Sequence, residues 1–254
     1  MGAWDMKAKQ LFQSGQLNEA VQALNAELRD NPSDVQRRTF LFELLCFSGD
    51  YVRAEKQLNV MADGNSQTEL GAVLYHSALH AEKLRQRMFE DKEYPGLVES
   101  PDAQARAGTL NGQPFEELED ADPRIGPRLE LFAAGAYLWI PFEHIVSIEM
   151  EAPKRLRDTL WIPALVRTGP AFRGKELGEV LVPAISPLSW RHPDDAVRLG
   201  RSTVWQDSDT GLPVPVGQKL LMADGEDFPF LELRKLEFTQ SAEPEPQTED
   251  ATAR

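Results

Sequence analysis

Displaced by 34 residues, the first third of the chain matches itself. Leu11 falls on Leu45, Phe12 on Cys46, Gly15 on Gly49, Ala20 on Ala54 and Leu24 on Leu58. Each match has a physical use. Gly15 and Gly49 stand where a tight turn between paired helices needs a left-handed backbone, which costs glycine little. Ala20 and Ala54 stand where two helices cross closely and a larger side chain would hold them apart. Asn31-Pro32 ends the first pair, because a residue before proline is pushed out of the helical region. Asp34 can then cap the next helix. The pattern predicts four helices, over residues 3–14, 17–30, 34–47 and 51–62.

A 34-residue unit of two helices with small residues at these places is tetratricopeptide-like. A fifth helix is expected after Asp63-Gly64-Asn65, with Ser66-Gln67-Thr68-Glu69 as its capping box. Its apolar stripe is read as Leu70, Val73, Leu74, Ser77, Ala81 and Leu84. The period fails there, since Gly49 plus 34 is Lys83. Two repeats and a longer terminal helix make an array too short to be stable alone, so it should lean on the rest of the chain. Arrays of this kind bind peptides in a groove lined by the first helix of each pair. Trp4, Lys7, Arg37, Arg38 and Phe42 are the candidate contact residues, aromatic and cationic side chains being favoured at interfaces. The plainer alternative makes Phe42 core and leaves the cations solvated.

The remainder differs in charge. The chain carries a net charge of −14, and acid dominates from Asp91 onward. Nucleic acid and anionic membranes are therefore not expected partners. The run Glu116, Glu117, Glu119, Asp120, Asp122 reads as a solvated acidic loop, with a site for a basic partner as the alternative. The lone cysteine, Cys46, lies in an apolar run and suits a reducing, cytoplasmic setting. No signal peptide or membrane span is expected.

The expected organisation is α+β. It comprises a helical domain over 1–93, a linker with the acidic loop over 94–124, a mixed or antiparallel β-rich domain over 125–240 and a disordered acidic tail over 241–254. Asn111-Gly112 and Asp224-Gly225 are hairpin-turn signals. Ile125 to Phe132, closed by Gly135, reads as a short helix. Strands are expected at Tyr137–Phe142, Ile145–Met150 (where a helical reading stays open), Thr159–Thr168, Glu179–Ile185, Gly217–Ala223 and Phe230–Phe238.

Motifs for chemistry are scarce. His76 and His80 share a helix face at metal-binding spacing, but Ser77 stands where a metalloprotease has glutamate. His144 and His192 have no ligand nearby in sequence. No nucleophile elbow, phosphate loop or dinucleotide glycine pattern appears. Asp122 and Asp158 lie beside arginines and read as structural ion pairs. No cofactor, metal or catalytic residue is assigned.

Several separated stretches nonetheless share one pattern: Asn111–Phe115, Asp120–Glu130, Tyr137–Phe142, Leu156–Ala164 and Leu199–Trp205. Together they resemble the ImpE/TagJ (SciE-type) family of bacterial type VI secretion accessory proteins, over residues 5–238. Ala184–Trp190 departs from the Arg-Tyr-Pro-Gly-Ser-like stretch usual there. The resemblance implies a cytoplasmic, non-enzymatic adaptor. Such an adaptor binds a helix near the N-terminus of the small contractile-sheath subunit and is linked to the ATPase that disassembles contracted sheaths. A broad peptide holder, or an enzyme with a site in the β-rich half, are the alternatives from the residues alone.

Overall fold

The structure is a computed structural model that describes residues 7–62, 66–95, 107–170, 172, 177–208 and 211–239. Trp4, the Asp63–Asn65 turn, the side chains of the expected capping box and the expected acidic tail lie outside the described residues. Five helices come first: α1 (Lys7–Gln13), α2 (Leu17–Asp30), α3 (Val35–Phe47), α4 (Tyr51–Ala62) and α5 (Ser66–Asp91). They stack as successive antiparallel neighbours. Gly15 and Gly49 both take positive φ in the turns, at 78° and 74°, and Ala20 and Ala54 are wholly buried at the crossings. The Asp34 side chain caps α3, accepting the Arg37 backbone N–H at 2.9 Å.

The strands that follow are β1 (Gly108–Leu110), β2 (Gln113–Phe115), β3 (Leu118–Asp120), β4 (Arg128–Ala133), β5 (Ala136–Pro141), β6 (Ile145–Met150), β7 (Trp161–Thr168) and β8 (Gly178–Pro183). After the short α6 (Asp195–Arg198) come β9 (Thr203–Gln206), β10 (Val214–Gly217), β11 (Leu220–Ala223), β12 (Glu226–Pro229) and β13 (Lys235–Phe238). An eight-stranded sheet runs in the order β2-β1-β13-β6-β7-β8-β4-β5, and every neighbouring pair in it is antiparallel. β12-β11-β3 form a second sheet and β10-β9 a two-stranded ribbon.

The large sheet is buried along one face, and at β4 and the start of β7 on the other face as well. Leu129, Leu131, Ile162, Ala164, Val166, Val180 and Val182 face a core shared with Leu118, Leu221 and Phe230. Phe132, Trp161 and Leu181 face the opposite way, into one continuous core with Leu41, Phe42, Leu45 and Phe47 of α3 and Ala78 and Leu79 of α5. The helices and the sheet thus brace each other.

Four sequence expectations need correction. Arg128–Ala133 is a strand, not a helix, because a strand covered on both faces loses its alternation and carries an unbroken buried run. The segment expected to link the halves holds β1–β3. Within its acidic run Asp120 and Asp122 are buried, at 2% and 1% exposure, and are not a solvated loop. On α5 the expected stripe is only partly right: Ala81 is buried, but Val73, Leu74 and Leu84 are exposed, and the buried face is Ala78, Leu79, Ala81, Glu82, Arg85, Gln86 and Phe89; the Leu70 side chain lies outside the described residues. That face of α5 is polar because it meets buried carboxylates on the sheet.

Asp224-Gly225 does turn a hairpin, with φ of 51° and 82°, but its second strand is β12 rather than the whole of residues 230–238. Asn111-Gly112 turns β1 into β2 with the same sign of φ.

Candidate functional site

The face of α3 and α5 that would receive a peptide is already occupied. Phe42, 1% exposed, has its ring centroid 6.0 Å from that of Tyr75 and 6.3 Å from that of Trp161. It is core, not a contact residue, because β7 supplies the aromatic partner that a bound helix would otherwise bring. The C-terminal half also pins the two hairpin turns of the array and α5. Trp190 lies against Gly49 and donates its indole N–H to Gln86 Oε1 at 3.2 Å. Arg201 donates to the carbonyls of Phe12 and Gln13 at 2.7 and 3.1 Å. Asp195 accepts the Leu17 backbone N–H at 2.8 Å.

Beneath α5 lies a closed cluster of charges. Arg85 donates from Nε and Nη2 to the two Glu130 oxygens at 2.7 and 2.8 Å and from Nη1 to Glu82 at 3.1 Å. Lys219 reaches the same Glu130 at 2.7 Å and also contacts Asp120. Tyr137 OH and Trp161 Nε1 donate to Glu130 and Glu82, each at 2.8 Å. Burial alone would raise the Glu130 carboxyl, but Arg85 and Lys219 outweigh it and hold it down at about 2. Asp120 goes the other way: burial, with Glu130 and Asp122 nearby, pushes it up to about 7 despite Lys219. Glu82, Arg85, Asp120, Glu130, Lys219 and Trp161 are buried and bond mainly within the cluster, although Asp120 Oδ2, beside Lys219, accepts no hydrogen bond. The arrangement suits a joint between helix and sheet.

The histidines do not assemble into a comparable group. His144 Nε2 is 3.6 Å from Glu143, and His144 packs near the ring of Phe172. His192 Nδ1 accepts the Asp194 N–H. No group of three or more His, Cys, Asp or Glu among the described residues could hold a metal ion. The Asp122 ion pair is formed, with Arg124. Asp158 instead accepts the Lys154 and Arg155 backbone N–H groups.

An open groove remains on the other side of the array, with a volume of about 570 Å³. Gln22, Asn25, Ala26 and Arg29 line it from α2, Arg38 and Leu41 from α3, Arg53 and Gln57 from α4. Of the expected contact residues, Arg38 is here. It donates to the Pro32 carbonyl at 2.8 Å and to Gln57 at 2.9 Å, which fixes its guanidinium at the groove wall. Arg37 is turned away from it, bridging Glu27 at 3.1 Å and Asp34. Lys7 is exposed at the start of α1, outside the groove lining. Arg29 and Arg53 lie on the second helix of each pair, whereas the expected groove was lined by the first. The signal for Arg29 was the spacing Gln22, Asn25, Ala26, Arg29, one polar face of a helix. Glutamate and aspartate are absent from the lining, but Asp50 pairs with Arg53 at 3.0 Å from outside it, so Arg29 and Arg38 give the trough most of its positive character.

The ImpE protein family model matches residues 112–237. Type VI secretion system accessory component TagJ of Pseudomonas aeruginosa is 33% identical over 268 aligned positions, covering 93% of this chain and 92% of that one. The crystal structure of protein VPA1032 from Vibrio parahaemolyticus has the same fold, with a TM-score of 0.81 at 23% identity, covering 93% of this chain and 98% of that one. No helix among the described residues is long and apolar enough to cross a membrane. With one residue in three identical along almost the whole length of both chains, this chain belongs to the ImpE/TagJ family.

Proposed function

We propose that this protein is a non-enzymatic adaptor of the bacterial type VI secretion system. It captures a helix of the small contractile-sheath subunit and so takes part in assembling or recycling the sheath. Its setting is the cytoplasm, and the ATPase that disassembles contracted sheaths is the second expected partner. Family membership supports the accessory role. The single observation that carries the binding mode is the groove of α2, α3 and α4, which holds Arg29, Arg38 and Arg53 without a carboxylate in its lining, Asp50 pairing with Arg53 from outside it. An amphipathic helix laid in a groove is a common recognition mode. Arginines at the wall favour one with glutamate or aspartate along an edge.

The test uses the full chain and purified small sheath subunit in a titration calorimeter. Wild type should bind, and affinity should fall as salt rises. Arg29→Glu with Arg53→Glu, both exposed and outside the core, should weaken binding by about tenfold or more, since losing two charge-assisted contacts and adding repulsion exceeds about 1.4 kcal/mol. No heat from wild type at high micromolar concentration overturns the adaptor reading. Unchanged affinity in the double variant moves the site away from this groove.

A further inference from the structure

We propose that the outer edge of β9 is a second docking surface, which receives an extended, basic segment of another protein as an added strand. The observation behind it is the hydrogen-bonding parity of the β9–β10 ribbon. The strands pair Gln206 with Val214, Trp205 with Pro215, Val204 with Val216 and Thr203 with Gly217. The Gln218 N–H donates to the Ser202 carbonyl, which marks that pair as hydrogen-bonded. In an antiparallel ladder hydrogen-bonded pairs alternate, so Val204 and Gln206 also bond inward to β10. Two independent facts agree. Pro215 has no N–H to give Trp205, and Gly217 spends its N–H on Ser189 Oγ and its carbonyl on the Ser186 N–H, both away from β9.

It follows that Thr203 and Trp205 aim their N–H and C=O groups away from β10. No strand among the described residues pairs along that edge. Edge strands are normally blunted by lysine, proline or a bulge. Thr203-Val204-Trp205-Gln206 has none of these, and its pairing with β10 runs without a register shift. The Trp205 side chain stands 42% exposed at the centre of this edge, an aromatic anchor of the type favoured at interfaces.

The occupant is set by what the edge offers. Main-chain donors and acceptors at i and i+2 fit an extended backbone, not a helix. A chain of net charge −14, with Asp207 directly after the strand, favours lysine or arginine in the incoming segment. A second copy fits poorly, because two such charges repel and four-residue strands fall far short of the ~1,200 Å² that stable interfaces bury.

The probe is a seven-residue peptide of alternating threonine and valine with a lysine at each end, titrated into the isotope-labelled full chain. The expected result is saturable movement of the Thr203 and Trp205 amide resonances. Trp205→Pro should weaken binding about tenfold, the worth of one backbone hydrogen bond plus the lost indole. Proline is tolerated where an edge N–H faces solvent, and an unchanged melting temperature checks the fold. The same peptide with its four central amides N-methylated should not bind, a control that needs no protein variant. Unmoved Thr203 and Trp205 amides, or equal binding of the methylated peptide, overturn the proposal. So does a concentration-dependent dimer of the protein alone that Trp205→Pro abolishes, because the edge then belongs to a second copy.

Discussion

Glu43 is a carboxyl inside a protein–protein seam of the chain's own making. It lies on α3, buried against the turn that holds Arg155, Arg157 and Asp158. Burial pushes its carboxyl up to about 7, against the pull of Arg157. The folded state therefore keeps a proton that the unfolded chain gives up near 4.5. Stability from this residue is full below about 4.5, falls as pH rises to about 7 and is flat above, a loss on the order of 3 kcal/mol. Asp120 acts in the same direction. Glu130, held at about 2 by Arg85 and Lys219, acts in the opposite one, contributing above its usual 4.5 and losing that contribution towards 2. The expected optimum is thus mildly acidic. Glu43→Gln should flatten the decline between pH 5 and 8 and raise stability at pH 8, as read by urea denaturation. An unaltered slope would show that the proton sits elsewhere. None of this was legible in the sequence. Arg85 meets Glu130 across 45 residues, and Glu130 meets Lys219 across 89; local pattern cannot show a pairing set by tertiary topology.

The two turn glycines let one element be compared with its own repeat. Gly15 and Gly49 share a left-handed backbone, yet a Cβ on Gly15 would have only Arg201 Nη1 near it, at 3.7 Å, while one on Gly49 would fall 2.5 Å from the Trp190 ring. Gly15→Ala should cost about 1 kcal/mol, the price of the backbone conformation alone. Gly49→Ala should cost about 1–3 kcal/mol more, because the indole must leave its seat, and the indole fluorescence should change with it. Equal melting temperatures for the two variants would mean that the Trp190 contact contributes nothing. The turns, the helix ends and both Asx-Gly hairpins were legible because glycine, proline and Asp34 act on their own neighbours. β4 was not. Arg128, Glu130 and Phe132 face the helices while Leu129 and Leu131 face the other core, so its sequence shows the unbroken burial that a helix also can. The groove was half legible: the array was foreseen and Arg38 with it, but which face stays open depends on where the sheet docks.

The whole molecule should unfold as one unit, although its sequence divides into a helical third and a β-rich remainder. Two separable domains would each close their own core. Here α3 and α5 share theirs with β4 and β7, and the charge cluster of Arg85, Glu130 and Lys219 straddles the same boundary. Splitting the halves would expose Phe42, Phe132 and Trp161 together and strand buried ions without partners, a cost of about 3–5 kcal/mol for each broken pair. Calorimetry should accordingly show a single transition whose calorimetric and van't Hoff enthalpies agree. Trp161→Ala, which empties the seam and removes the donor to Glu82, should lower stability by about 3–5 kcal/mol. It should shift the helical far-ultraviolet signal and the aromatic near-ultraviolet signal by the same amount. Two resolved transitions, with only one moved by Trp161→Ala, would mean that the sheet is a neighbour of the helical array rather than its support. The groove of α2, α3 and α4 would then have to hold its shape on the strength of two repeats alone.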